Sequence, residues 1–421
     1  MTAGVSRSGQ LAWALYDWAS SAFAAVIVTF VFATYFSQGI AVDPVTGTAQ
    51  WGWAMTVSAM LAAALGPVLG AIADTGGRRK PWIFAFTLCC VIATGLLWFA
   101  APSAEWVLYT LIVVVIANLS LELAGVFYNA MLADISSPER MGRLSGWSWG
   151  LGYVGGVSCL LLALFGLVQT DTPLFGLDKD MAEHVRATGP LVALWLALFS
   201  LPLLVLTPDQ PSGRRPAMTA MREGMRQLRE TVANLRQHRR IVHFLLARML
   251  YVDGLNTLFA FGGIYAAGTF GLELADVIKF GILLNVTAGI GAFAFAWIDD
   301  WLGPKPTVLI ALGGLFGFSL AAVLIENVAL FWVIGGLLGL FVGPTQAASR
   351  TLMARLAPAG QRTEMFGLYA LSGKITAFLG PFLLGMVTYW SGSQRLGMAT
   401  ILAFFAAGFV LLCRLDMRPG R

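Results

Sequence analysis

The sequence predicts an all-α integral membrane protein with twelve transmembrane helices in two pseudo-symmetric six-helix bundles. Three observations carry that prediction. Apolar runs of about 20 residues recur along nearly the whole chain, each long enough to cross a ~30 Å hydrocarbon core at about 1.5 Å per residue. Only 12% of the 421 residues are charged and 58% are hydrophobic, whereas soluble domains carry about 25% charged residues. The two halves of the chain also bear matching polar landmarks at matching places.

The elements follow in order. Span 1 covers about 13–38 and is too long for a cleaved signal, so it is expected to stay as an anchor. Span 2, about 52–73, runs into "GAIADTGGRRK", and span 3 covers about 81–100. Span 4, about 106–133, is followed by "ADISSP". Span 5, about 145–168, carries Gly146, Gly150, Gly152, Gly155 and Gly156, with small-residue spacings that allow close helix approach. Span 6, about 189–207, closes a first unit over 1–207. In the connection 208–242, Met218, Met221, Met225, Leu228, Val232 and Leu235 alternate in steps of three and four, with arginines on the other faces. That pattern is an amphipathic helix, lying either on the inner leaflet or against the ends of the spans. The second unit, 243–421, holds spans at about 243–268, 274–299, 306–325, 329–352, 366–389 and 396–414. Gly343-Pro344 and Gly380-Pro381 are its kink sites.

Charge orients these spans. Arg7, Arg78, Arg79, Lys80, Arg140, Arg143, the linker residues Arg214, Arg215, Arg222, Arg226, Arg229, Arg236, Arg239 and Arg240, then Lys305, Arg355, Arg362, Arg414, Arg418 and Arg421, all fall on the side of the termini. The other side holds Lys179, Arg186, Lys279 and Arg395 among Asp43, Glu105, Asp171, Asp178, Asp180 and Glu183. The bias predicts both termini in the cytoplasm. It also explains the net charge of +5 without nucleic acid as a partner; the lipid bilayer takes that place.

Chemistry that the chain lacks narrows the class. Cys89, Cys90, Cys159 and Cys413 lie in or at the ends of apolar runs and read as buried thiols, with no metal or disulfide pattern. No phosphate-cradling G-x-x-x-x-G-K-[ST] loop and no H-E-x-x-H appear, so no cofactor, no metal, no direct ATP drive and no enzyme are expected.

An internal repeat supports a duplicated six-helix unit. A shift of 226 residues carries Asp74 onto Asp300 and Gly77 onto Gly303, each closing a second span of its half. Asp17-x-x-Ser20-x-x-Phe23 is echoed by Asp253-x-x-Asn256-x-x-Phe259, and "MLADISSP" by "LMARLAP". Repeated units of this kind build many secondary transporters.

Gly70-x-x-x-Asp74-x-x-Gly77-Arg78-Arg79 resembles the signature loop of the major facilitator superfamily, and the partial copy with Asp300, Gly303 and Lys305 fits the same pattern. "ALYDWASSAF", "SPERMGRLSGWSWGLGYVGG", "LARMLYVDGLNTLFAFGGIYA" and "LYALSGKITAFLGP" resemble the bacterial relatives of the autophagy-related vacuolar effluxers, a branch associated with amino-acid efflux in fungal vacuoles. The resemblance implies a cavity lined by helices 1, 4, 7 and 10. It also implies that the loop's charges latch the cytoplasmic helix ends in the outward-facing state. The turn at Gly76-Gly77 is expected to bring Arg78 back toward Asp74; simple positive-inside anchoring is the alternative account of the cluster.

Ionisable residues inside spans are costly and mark function by default. Asn118, Glu122, Gly125 and Asn129 share one face of span 4, and Gly339, Gly343, Gln346 and Arg350 repeat the stripe in span 10. The stripe either lines the cavity or ties helices together. Glu122 is the candidate for a titrating, proton-coupling role. Asp17 is either a cavity residue or the N-cap of span 1; Asp253 and Asn256 lie deeper in span 7. His184, His238 and His243 all lie outside the middle of a span, which leaves the carboxylates to carry protons. Lys374 in span 11 needs a carboxylate in the other half, with Asp17 the first choice, and Arg248 is expected to reach toward the inner surface. Trp13, Trp18, Phe23, Phe259 and Tyr265 are aromatic contacts for a solute or for packing. The reading is a monomeric secondary active transporter of a small polar organic solute, amino acids or related metabolites leading, by proton-coupled export. A sensor or scaffold without turnover is the alternative, and a membrane enzyme a more distant one.

Overall fold

The computed structural model describes residues 6–170, 176–211, 217–233 and 238–416. Asp171, Arg214, Arg215, Arg236, Arg418, Arg421 and Leu235 of the apolar stripe lie outside the described residues.

The described chain is helical, and eleven of its helices are long and apolar enough to cross a membrane. Span 1 occupies Arg7–Ile40 and span 2 Pro44–Gly76, and the first six spans end with Glu183–Leu206. Spans 7 to 10 occupy Arg239–Phe270, Leu274–Leu302, Pro304–Leu324 and Val328–Leu356, and span 12 occupies Gln394–Cys413. The twelfth crossing is the interrupted one. Span 11, expected as one run over 366–389, is two helices, Arg362–Ser372 and Leu379–Ser391, joined by tight turns. Several helices also run about a turn past the apolar runs, because hydropathy marks only the part in hydrocarbon.

Local chemistry sets the ends. Ser6 caps span 1 by accepting the Gly9 N–H, so Asp17 lies inside the helix and the reading of Asp17 as an N-cap is corrected. Asp43 caps span 2 through the N–H groups of Val45 and Thr46, and its hydrogen bonds to Thr46 hold its carboxyl below the usual range. Gly77 and Gly303 end spans 2 and 8 with φ of 82° and 89°, a region that glycine enters without a Cβ clash. Span 1 widens into i→i+5 turns at Phe23–Phe30, beside the central cavity.

Lipid gives helices no hydrophobic reason to associate, so close approach of small residues does the packing. Two seams join the halves at the basic face, the face where span 1 begins and span 12 ends. In one, Gly66 and Gly70 of span 2 meet Gly367 and Thr363 of span 11; a Cβ on Gly70 would sit 2.5 Å from the Thr363 carbonyl oxygen. In the other, Gly142 and Gly146 of span 5 meet Asp299, Ala292 and Ala296 of span 8. The basic face is therefore shut.

The linker helix, Ala217–Ala233, lies across the first seam. Gly224 seats against Ala71 and Ile72 of span 2, and Gln227 Nε2 donates to Glu364 Oε2 of span 11 at 2.6 Å. Packing against the span ends is thus the reading that holds, through Gly224, Gln227 and Thr231; Met221 and Met225 of the predicted stripe are exposed.

Candidate functional site

Above the shut face lies a cavity of about 470 Å³ between the halves. Spans 1, 5, 7, 8 and 10 line it, among them Thr29, Trp149, Tyr153, Phe259, Asn285 and Gln346. This differs from the expected set of 1, 4, 7 and 10, because the polar stripe of span 4 is spent on bonds to its neighbours. Gln346 is a lining residue as expected, and its Oε1 accepts from Tyr153 OH of the other half at 2.8 Å. Of the expected aromatics only Phe259 lines the cavity. Trp13 lies under Arg350, Trp18 stacks on Trp195, Phe23 is buried, and Tyr265 donates to the Ala322 carbonyl.

Three layers of charge cross from one half to the other. At mid-helix depth, Lys374 Nζ donates to Glu122 Oε1 at 2.7 Å, with side chains 33% and 25% exposed. The partner of Lys374 is thus Glu122 and not Asp17. Lys374 stands in the interrupted part of span 11, which brings it to the level of Glu122. Asn118, on the same stripe, is turned within its own half and donates to Ser58 Oγ at 2.6 Å.

Nearer the basic face, Asp17 accepts from Arg350 Nη1 at 2.9 Å and from Ser148 Oγ at 2.5 Å. Arg350 is 2% exposed; it also donates to Ser145 Oγ, the Ser145 carbonyl and Asn129 Oδ1 at 2.9, 2.7 and 3.3 Å. The rings of Trp13, Tyr128 and Trp149 stand around the guanidinium. The sequence singled out Asp17, Asn129 and Arg350; Ser145, Ser148 and Tyr128 complete the cluster without any signal that distinguishes them from ordinary small and aromatic packing.

At the face itself, Asp74 accepts from Thr363 N, Thr363 Oγ1 and Glu364 N at 3.1, 2.6 and 2.9 Å. A carboxylate from span 2 thereby caps the start of span 11 in the other half. Arg79, not Arg78, folds back. It is 3% exposed, donates to Thr363 Oγ1 at 2.7 Å and to Asp74 at 3.5 Å, and pairs with Asp134, which Arg362 also joins. Arg78 is exposed. The second seam repeats the motif: Asp300 accepts from Arg143 N and Nε at 3.2 and 2.5 Å, near the start of span 5. Lys305 stays within its own half, on the carbonyls of Cys413 and Leu415. Asp134, Arg143 and Arg362 were legible as charges at span ends but not as partners.

Asp253 and Asn256 separate. Asn256 is exposed, whereas Asp253 is 1% exposed, with Oδ2 accepting the Gly380 N–H at 3.3 Å and Oδ1 unpartnered among the described residues. Arg248 does not reach for the surface; it bonds the Tyr369 carbonyl and Ser372 Oγ at 2.7 and 2.8 Å. No group of three or more His, Cys, Asp or Glu placed to hold a metal occurs among the described residues.

Comparison with known proteins places this geometry. Residues 133–421 match the family described as "Vacuole effluxer Atg22 like", and residues 3–159 match the Major Facilitator Superfamily. The chain is similar to the MFS-type transporter YxiO of Bacillus subtilis, at 27% identity over 95% of this chain and 93% of that one. It is similar to autophagy-related protein 22-1 of Penicillium rubens at 25% identity, over 66% of this chain and half the length of the fungal protein (50%). Its fold resembles the proton:xylose symporter XylE, with a TM-score of 0.72 at 16% identity over 96% of this chain and 94% of that one. It also resembles a bacterial homologue of the iron transporter ferroportin in its outward-facing state, with a TM-score of 0.72 at 16% identity over 98% and 99% of the two chains.

Proposed function

The chain belongs to the Atg22-like vacuole effluxers of the major facilitator superfamily, which are transporters rather than enzymes, and from that premise we propose that it exports a small polar organic solute by proton-coupled alternating access. The basic face is the cytoplasmic face of a bacterial inner membrane, as its arginines favour. The units 1–207 and 243–421 rock about the central cavity.

The observation that carries this reading is the Glu122–Lys374 pair, a carboxylate and an ammonium from opposite halves, 2.7 Å apart at mid-helix depth and partly exposed. Charges in such a place are costly unless they serve a path for solute or ions. A zwitterion offers an ammonium to Glu122 and a carboxylate to Lys374, so amino acids and related metabolites fit the pair. The Asp17–Arg350 layer and the Asp74 and Asp300 caps then form the cytoplasmic gate beneath it.

The test is solute exchange in reconstituted vesicles, with radiolabelled amino acids against sugars and nucleosides. Amino-acid exchange that falls at least tenfold in Lys374→Ala and Glu122→Gln supports the reading. Exchange of sugars alone, or amino-acid exchange unchanged by either substitution, removes the zwitterion. Protein that binds amino acids in a thermal-shift assay without ever exchanging them is a sensor.

A further inference from the structure

Span 11 is cut midway along its length, and each cut end meets a side chain of span 7. The lower helix, Arg362–Ser372, ends on Arg248, whose guanidinium bonds Tyr369 O and lies 3.5 Å from the Tyr369 ring. The upper helix, Leu379–Ser391, begins on Asp253 through the Gly380 N–H. A cation at a helix C-terminus and a carboxyl at a helix N-terminus match the partial charges found there. Between them, Thr376 Oγ1 reaches the Met249 carbonyl at 3.4 Å, and Lys374 leaves the break to cross to Glu122.

Asp253 differs from Glu122 and Asp17 in one respect, which it shares with Asp299 near the basic-face end of span 8. Glu122 has Lys374 and Asp17 has Arg350, but no cation pairs with Asp253 among the described residues. On its own helix, Arg248 is committed to Tyr369 and Ser372, and Tyr251 to Ser349. In span 11, Lys374 is committed to Glu122; span 10 turns Arg350 to Asp17; and span 12 presents Phe404 and Phe405 beside Gly254. An ionised carboxylate in that setting carries a large desolvation penalty that the Gly380 N–H offsets only in part, with no cation beside it.

We propose that Asp253 is the proton-binding site of this transporter, and that its proton decides whether Lys374 pairs with Glu122 in the other half or with Asp253 in its own. With the proton on Oδ1, Asp253 is neutral and Lys374 bridges the halves. When the proton leaves to water, the buried anion draws Lys374 along the non-helical 373–378 segment, and a bond between halves becomes a bond within one. The inference rests on the proton-coupled reading and goes further by separating the proton site from the Glu122–Lys374 pair. The sign follows from linkage. The closed state of the basic face binds the proton more tightly, so it is favoured at low pH and lost as pH rises, by up to about tenfold in the state ratio per pH unit for one proton.

Spin labels at Glu139 and Gly360, exposed positions of the two halves at the basic face, report that ratio in lipid nanodiscs without solute. The wild type shifts toward the open state as pH rises. Asp253→Asn loses the pH response, to less than about twofold across the series, and stays closed; Glu122→Gln also loses it but stays open. A wild-type pH response in Asp253→Asn overturns the assignment. No pH response in the wild type overturns proton coupling itself, and the inference with it. If Asp253→Asn does not fold, Asp253→Glu replaces it: a displaced midpoint is expected, and an unchanged midpoint overturns the assignment.

Discussion

Arg350 shows what a guanidinium requires in order to stay inside a membrane protein. Asp17, Asn129 and both oxygens of Ser145 take its N–H groups, and three aromatic rings surround it. Lysine keeps the charge but not the fork that holds Ser145 and Asp17 together. Arg350→Lys is therefore expected to retain less than about a tenth of wild-type exchange, and Arg350→Gln to destabilise by about 3–5 kcal/mol because Asp17 is left without its cation. The pair is tested by a double-mutant cycle on unfolding. Asp17→Asn with Arg350→Gln is expected to be non-additive by about 0.5–3 kcal/mol, and strict additivity would mean the two act apart. At this scale the sequence exposed the members and hid the pairing. Asp17, Glu122, Arg350 and Lys374 stand out as charges in apolar runs. Which carboxylate meets Lys374 depends on how deep the break in span 11 sets it, and residue order does not reveal depth.

Among the elements, span 11 is where pattern and structure part. Its apolar run reads as one crossing because hydropathy averages over backbone geometry, yet Gly373 packs on Arg248 and Gly380 on Thr257 and Asp253. The Gly380-Pro381 step was legible as a kink; the loss of helix over 373–378 was not, since span 7 supplies the side chains that stabilise the cut ends. The geometry sets a strict demand at Gly380, where a Cβ would lie 2.0 Å from Thr257 Oγ1, while a Cβ at Gly385 would meet nothing within 4 Å. Gly380→Ala is expected to lower solute exchange at least tenfold and Gly385→Ala to leave it near wild type, in vesicles matched for protein content. Equal activity of the two variants would mean that the junction has no part in transport. The linker helix makes a related point. Its methionine periodicity was plain, but the face that packs is built on Gly224, whose missing side chain lets the helix touch the backbone of Ala71 and Ile72.

Taken whole, the molecule is closed at one face by two carboxylates related by the internal repeat. Asp74 caps the start of span 11, and Asp300 holds the start of span 5, each reaching into the half it does not belong to. The repeat that relates them was visible in the sequence. Their partners lie 289 and 157 residues away, so only the assembled bundle shows that the repeat makes two matching clasps. The rocking of the halves proposed above would have to break both together. Asparagine at either position keeps an acceptor oxygen but forfeits the charge, a loss of about 1–2 kcal/mol at a helix terminus. That is roughly tenfold in the ratio of closed to open molecules, since about 1.4 kcal/mol is a factor of ten. Independent clasps on a common motion multiply, so Asp74→Asn with Asp300→Asn is expected to shift the ratio about a hundredfold. Labels at Glu139 and Gly360 read it, at a fixed low pH that keeps the proton equilibrium out of the comparison. A double variant no more open than Asp74→Asn alone would mean that one seam opens while the other stays shut, and the halves would not be rocking as rigid bodies.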